Sequence, residues 1–73
     1  MTASPKRTAA RLLVVDDEPD LRTLYDITLQ RAGYEVLTAG DLEQARALLA
    51  QQTFDVLVTD MRLPDGQGLE LIE

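Results

Sequence analysis

The residues best suited to chemistry in this 73-residue chain are acids that directly follow apolar segments. Asp16, Asp17 and Glu18 follow the apolar run at 12–15, and Asp60 follows a segment at 54–59 that is rich in β-branched residues. The chain has no cysteine and no histidine. Catalysis by a histidine base is therefore excluded, and a metal held by these side chains must be a hard, oxygen-liganded ion such as Mg²⁺, Mn²⁺ or Ca²⁺.

Three neighbouring carboxylates repel one another and stay ionised only if a cation compensates their charge. Mg²⁺ is the natural choice, because it typically takes one or two carboxylates together with water and a phosphate oxygen. Such a metal can neutralise a phosphoryl group while an aspartate attacks the phosphorus. An acidic pair, or an aspartate at the end of a strand, is by itself more often a helix cap or a turn former. The signal is the combination of these acids with the elements around them.

The elements that must position the acids alternate between strands and helices. Apolar residues at 12–15 predict a strand that is buried on both faces. A helix is predicted to begin at Pro19 and to end before Gly33, with its apolar face formed by Leu21, Leu24, Tyr25, Thr28 and Ala32. A second strand is predicted at 34–38 and a third at 54–59.

The second helix and the segment after the third strand have local signatures. Asp41 is expected to cap the second helix, with Gln44 completing a capping box. Leu42, Ala45, Leu48 and Leu49 form its apolar stripe. Leu63-Pro64-Asp65-Gly66 predicts a turn, and 68–73 predicts the first turn of a third helix.

The order β-α-β-α-β-(α) predicts an α/β fold with a doubly wound parallel sheet. In an open sheet of this class, ligands bind beyond the carboxyl ends of the strands, at the point where the strand order reverses. If the first and third strands are neighbours, in the order 2-1-3, then Asp16, Asp17 and Asp60 converge there.

Charge and hydropathy narrow the function classes further. The net charge is −6, and because three of the seven bases lie in 1–11, the remainder holds 13 acids against 4 arginines. Such an acidic body argues against direct contact with nucleic acid. No apolar run approaches the roughly 20 residues that span a bilayer, and no signal peptide is recognisable, so we expect a cytoplasmic protein. Residues 1–10 are expected to form a flexible tail.

The chain resembles the response-regulator receiver (CheY-like) family over 11–73. The resemblance is carried by Leu-Leu-Val-Val-Asp-Asp-Glu-Pro at 12–19 and by Asp-Val-Leu-Val-Thr-Asp-Met-Arg-Leu-Pro-Asp-Gly at 55–66. It implies that Asp60 accepts a phosphoryl group from a sensor histidine kinase. It also implies a Mg²⁺ site formed by Asp16, Asp17, Asp60 and the backbone carbonyl of Arg62, with Asp16 acting through water. Met61 would lie beside this site.

The second motif looks most like receivers of NtrC-type sigma-54-dependent transcription activators, including the pilus-regulating branch. The resemblance therefore implies transcription control through an output domain outside this segment, and phosphoryl transfer to the protein's own aspartate only, without other enzyme activity. Receivers of this kind have five strands, with a Thr or Ser after the fourth and a Lys after the fifth. The chain contains neither of these strands, so it resembles an N-terminal fragment.

Two alternatives remain open at this point. A Mg²⁺-dependent phosphohydrolase also uses an aspartate nucleophile, although such enzymes carry Asp-x-Asp on one strand, whereas here the acids lie on two. The chain could also be a structural or interaction fragment without phosphotransfer. Whichever function applies, an open third-strand edge predicts self-association of the chain, as a dimer or by exchange of elements.

Overall fold

The computed structural model describes residues 9–59 and 62–72. Its main elements are, in order, β1 (Arg11–Val15), α1 (Pro19–Arg31), β2 (Glu35–Ala39), α2 (Leu42–Gln51) and β3 (Val56–Thr59). Two short strands follow, β4 (Arg62–Leu63) and β5 (Gly66–Gln67), and then a 3₁₀ helix at Gly68–Ile72. The predicted alternation of strands and helices is confirmed. The segment expected to begin a third α-helix is a 3₁₀ helix here.

β1 is the central strand of a three-stranded parallel sheet with the order β2-β1-β3. Its residues 12–15 are between 0% and 4% exposed, as the continuous apolar run predicts for a strand covered on both faces. The register places Val15 opposite both Ala39 of β2 and Thr59 of β3. All three strands therefore end at the same level.

Local signals set the ends of both helices. α1 begins at Pro19, whose fixed φ suits a first helical turn, and Gly33 follows its C-cap with φ +101°. α2 begins after Asp41, whose carboxylate accepts from the Gln44 backbone N–H at 2.8 Å. In a standard capping box the Gln44 side chain would accept from the backbone N–H of the N-cap, Asp41. Here it accepts instead from the N–H of the preceding residue, Gly40, at 3.0 Å.

The core lies between the sheet and α2. Its buried members come from β1, β2, α2 and β4: Leu13, Val15, Ala39, Leu42, Ala45 and Leu63. Leu48 and Leu49 of the predicted stripe pack against this cluster and are partly buried. The predicted apolar face of α2 is therefore confirmed.

The apolar face predicted for α1 stays largely exposed. All of α1 lies in the described part of the chain, and none of its residues is buried. Leu24 is 57% exposed and Leu21 is 44% exposed. The physical reason is the width of the described sheet: α1 contacts β2 and β1, so side chains on its far side extend past the surface available to cover them.

Residues 1–8, 60, 61 and 73 lie outside the described residues. The predicted tail at 1–10, Asp60 and Met61 therefore fall wholly or partly there. The carbonyl of Ala10, the last residue of the predicted tail, accepts from the Glu35 backbone N–H at 2.9 Å. In the described ranges, no helix is both long and apolar enough to cross a membrane.

Candidate functional site at the carboxyl ends of the strands

The three level strand ends form the edge at which the sequence places its acids. Asp16 follows Val15 directly, and position 60 follows Thr59, which is the register partner of Val15. The structure confirms that β1 and β3 are neighbours, which is the condition on which the predicted convergence depended. Asp60 itself lies outside the described residues.

Asp16 is a buried acid, only 8% exposed, and three of its groups are fixed by hydrogen bonds. Its backbone N–H donates to the Ala39 carbonyl at 3.1 Å. Its Oδ1 accepts from the Glu18 N–H at 2.9 Å, and its carbonyl accepts from Arg22 Nη1 at 2.8 Å. Asp17, next in the chain, is exposed. The pair thus consists of one anchored carboxylate and one that faces solvent.

Arg22 is a residue of the candidate site that the sequence interpretation did not include. It lies on the first turns of α1, is partly buried, and brings a guanidinium to the backbone of the acidic pair. Gly40, at the end of β2, leaves room for it, since a Cβ there would lie 2.7 Å from Arg22 Nη1. A basic residue one helical turn after an acidic cluster was the available signal.

β4 and β5 form a small antiparallel hairpin directly after the described end of β3. Arg62 pairs with Gln67 and Leu63 pairs with Gly66, so Pro64 and Asp65 form the tip, in agreement with the predicted turn. Leu63 is 8% exposed and belongs to the core. The backbone of Arg62, whose carbonyl is an expected metal ligand, is therefore part of an ordered hairpin.

Asp65 has a contact that turn chemistry alone did not indicate. Its two carboxylate oxygens accept from the backbone N–H groups of Leu42 at 2.9 Å and of Glu43 at 3.2 Å. The Leu42 N–H is the main cause that lowers the pKa of Asp65; desolvation opposes it, and the Glu43 N–H and the charge of Arg46 add to the lowering. The hairpin tip is thus tied to the N-terminus of α2.

A groove of about 300 Å³ opens beside the site on the α1 side of the sheet. It is lined by Val14, Val15, Asp16, Leu21, Tyr25, Val58 and Thr59. The groove presents polar and apolar surface in nearly equal parts. Leu21 and Tyr25 border this groove and remain exposed.

The donors at this edge suit a hard cation. Every ligand candidate is an oxygen, from Asp16, Asp17, Asp60 or the Arg62 carbonyl, which matches the preference of Mg²⁺. Within 9–59 and 62–72, no group of three or more ligand-type side chains forms a metal cluster. Asp60, one of the predicted metal ligands, lies outside these ranges. The described carboxylates, those of Asp16 and Asp17, are therefore only part of the predicted ligand set.

The sequence model described as "Response regulator receiver domain" matches residues 12–73. The chain belongs to the response regulator receiver domain family. The CheY-like fold class predicted from the sequence is confirmed by solved receiver structures. The receiver chain is 42% identical to the chemotaxis response regulator CheY4 of Vibrio cholerae, with a TM-score of 0.85 over 89% of this chain and 54% of that one.

Two further relatives place the receiver chain among signalling proteins. It is 51% identical over 63 residues to the response regulator PilR of Pseudomonas aeruginosa, covering 86% of this chain and 14% of PilR. It is 40% identical to TrrA of Thermotoga maritima, solved in complex with Mg²⁺ and BeF, with a TM-score of 0.80 over 85% of this chain and 54% of that one. The chain thus spans about half of these receiver structures and a small part of PilR.

Proposed function

We propose that this chain acts as the phosphoacceptor receiver of a two-component signalling system. It takes a phosphoryl group from a sensor histidine kinase onto Asp60, with Mg²⁺. The observation that carries the proposal is the shared level of β1 and β3, with Val15 opposite Thr59. That register supports an approach of position 60 to the anchored Asp16 and the exposed Asp17, in a chain that belongs to a family of phosphoacceptors.

The acids divide the work in this proposal. Asp17 and Asp60 would hold the metal directly, Asp16 would hold it through water, and the Arg62 carbonyl would be the remaining protein ligand. When bound, Mg²⁺ supplies positive charge against the phosphoryl oxygens. The fixed position of Asp16 supports this assignment, because a carboxylate held by neighbouring groups loses little freedom on binding.

The chemistry itself belongs to Asp60. One carboxylate oxygen of Asp60 forms a bond to phosphorus as the phosphorus–nitrogen bond of the kinase phosphohistidine breaks. The imidazole leaves with the electron pair and takes up a proton. The product is an acyl phosphate on the receiver, so the transfer modifies the protein itself and turns over no separate substrate.

The wider role is proposed from the family. We place the protein in the cytoplasm, with residues 11–73 as the receiver part that follows the tail at 1–10. Its phosphorylation would control transcription through an output domain outside this segment. The acidic composition supports the absence of direct nucleic-acid contact by this segment.

An apolar edge supports a second role in self-association. Val56 on β3 is 48% exposed, and β1 is the one strand that pairs with β3 among the described residues. An open edge of this kind can pair with another chain. A second copy is therefore the proposed partner, as a dimer or by exchange of elements. Phosphorylation distinguishes the two roles, because a chain that only self-associates would not become phosphorylated.

Asp60→Asn tests the proposed function. The chain is incubated with acetyl phosphate and Mg²⁺, and phosphorylation is followed by intact mass. The parent should gain one acid-labile phosphoryl group, and Asp60→Asn should gain none. Asp55→Asn is the matched control, because it removes a carboxylate just before the opposite end of β3 and should leave uptake intact. Uptake that persists in Asp60→Asn would refute the assignment.

A further inference from the structure

The hairpin at 62–67 is fastened to α2 at its tip. A helix leaves its first N–H groups without partners inside the helix. In α2 the first bond within the helix runs from the Ala45 N–H to the Asp41 carbonyl at 3.1 Å, so the N–H groups of Leu42, Glu43 and Gln44 need other acceptors. The Gln44 N–H donates to the Asp41 carboxylate at 2.8 Å, and those of Leu42 and Glu43 donate to the carboxylate of Asp65.

The residue that completes the cap is therefore 23 positions away in sequence from Leu42. A local cap such as Asp41 fixes only the start of its own helix. Asp65 instead joins the start of α2 to the loop that follows the proposed phosphorylation site. Its contact with α2 is thus a tertiary tie between two segments, in addition to being a cap.

Two further contacts fasten the same hairpin to the same helix. A Cβ at Gly66 would collide with Leu42 Cδ1, so the two residues lie in close contact. At the base, Glu70 Oε2 accepts from the Gln67 N–H at 2.9 Å, while Glu70 Oε1 pairs with Arg46 Nη2 of α2 at 3.3 Å. The Arg46–Glu70 pair is exposed on both sides and contributes little alone. The Asp65 tie is the main polar anchor.

We infer that Asp65 is a positioning residue that holds the Arg62 carbonyl in place for the metal. This inference rests on the proposed function. A two-stranded hairpin is at best marginally stable alone, so the position of β4 depends on what fastens it. Arg62 pairs with Gln67 across the hairpin whose tip Asp65 holds. Loss of the tie frees the tip to move and leaves β4 anchored mainly by the core contact of Leu63, so the Arg62 carbonyl is held less firmly.

The matched comparison is Asp65→Ala against Asp41→Ala. Each variant removes an aspartate that caps α2, but only Asp65→Ala releases the hairpin. Mg²⁺ affinity of the chain is measured by titration calorimetry. We expect about tenfold weaker binding in Asp65→Ala, at the low end of what loss of a ligand-orienting group costs, and near-parent binding in Asp41→Ala. Asp65→Asn keeps one acceptor oxygen and should fall between.

Amide exchange gives a second measurement that needs no variant. Coupling between two sites is reciprocal, so Mg²⁺ should slow exchange of the Leu42 and Glu43 amides in the parent chain. The Gln44 amide, which is bonded to Asp41, should change less. Slower exchange at the first two amides supports the inference even if Asp65→Ala fails to fold.

The outcomes separate the inference from the function. If the parent binds Mg²⁺ and is phosphorylated on Asp60, but Asp65→Ala binds as tightly as the parent, the inference is overturned and the function stands. Equal weakening in Asp41→Ala would also overturn it, because the effect would then come from α2 stability alone. A parent chain that binds no Mg²⁺ would overturn both.

Discussion

Replacement of Gly66 by alanine should destabilise the chain more than the same change at Gly33. Both glycines have positive φ, +154° at Gly66 and +101° at Gly33, which L-residues rarely adopt. At Gly33 an added Cβ meets nothing within 4 Å. At Gly66 it would collide with Leu42 Cδ1 and lie 2.8 Å from Glu70 Oε2. The two substitutions therefore share the backbone cost and differ in the steric one.

The size of the difference follows from how freely the neighbours can move. The Glu70 carboxylate is the end of an exposed side chain and can turn away. Leu42 is 2% exposed and packed in the core, so it cannot retreat without disturbing its neighbours. A backbone held in an unfavourable region costs roughly 1–3 kcal/mol, and overpacking of a core adds roughly 1–3 kcal/mol. We therefore expect a loss of about 1–3 kcal/mol for Gly33→Ala and a further loss of about 1–3 kcal/mol for Gly66→Ala.

Urea unfolding, followed by circular dichroism at low protein concentration, measures both losses. The midpoint should shift while the slope with denaturant stays constant, which shows that stability alone has changed. Since small domains have only about 5–15 kcal/mol in all, Gly66→Ala should shift the midpoint conspicuously. A Gly66→Ala variant that loses no more than Gly33→Ala would refute the close packing of the hairpin against α2.

Three other substitutions or conditions test the site and its surroundings. Asp17→Ala should weaken Mg²⁺ binding by more than tenfold, or about 1.4 kcal/mol. It should also slightly stabilise the metal-free chain, because it relieves repulsion between carboxylates. A calorimetric Mg²⁺ titration that is unchanged in this variant would contradict the metal role of Asp17. Folding lowers the pKa of Asp65 below its ordinary value of 3.8. The ionised Asp65 carboxylate therefore stabilises the fold fully at any pH above 3.8, and this stabilisation is lost as the pH falls through the lower pKa of the folded state. The Leu42 and Glu43 amide resonances should therefore shift below pH 3.8, and a flat titration would count against the tie. Val56→Lys should reduce self-association measured by sedimentation, since a charge on an open edge discourages pairing; a parent that is monomeric at high concentration would argue against that edge as an interface.

Much of the fold could be predicted because its signals are local. The continuous apolar run of β1 predicts a strand that is buried on both faces, even when the neighbouring strands are not yet identified. Pro19, Gly33 and Asp41 mark helix ends through their own backbone or side-chain chemistry. The strand order followed from the alternation of elements together with the general rule for open parallel sheets.

The features that escaped prediction depend on contacts between distant segments. Periodicity identified an apolar face on α1, but it cannot show how much sheet lies beneath that face. Asp65 reads as a turn residue in sequence, and its role as the cap of α2 exists only because the hairpin folds back on that helix. Such roles are set by tertiary geometry rather than by neighbours in sequence.

The central position of β1 has a consequence for how the chain emerges during synthesis. β1 is made first, yet both strands that flank it are made later. The Arg11 N–H bonds to the carboxylate of Asp55, which is 44 residues farther along. At about 5–20 residues per second of translation, that partner arrives roughly 2–9 s after Arg11. For that interval the apolar residues 12–15 of the nascent chain lack one flank of the sheet, and they are a natural target for chaperones that bind exposed hydrophobic segments.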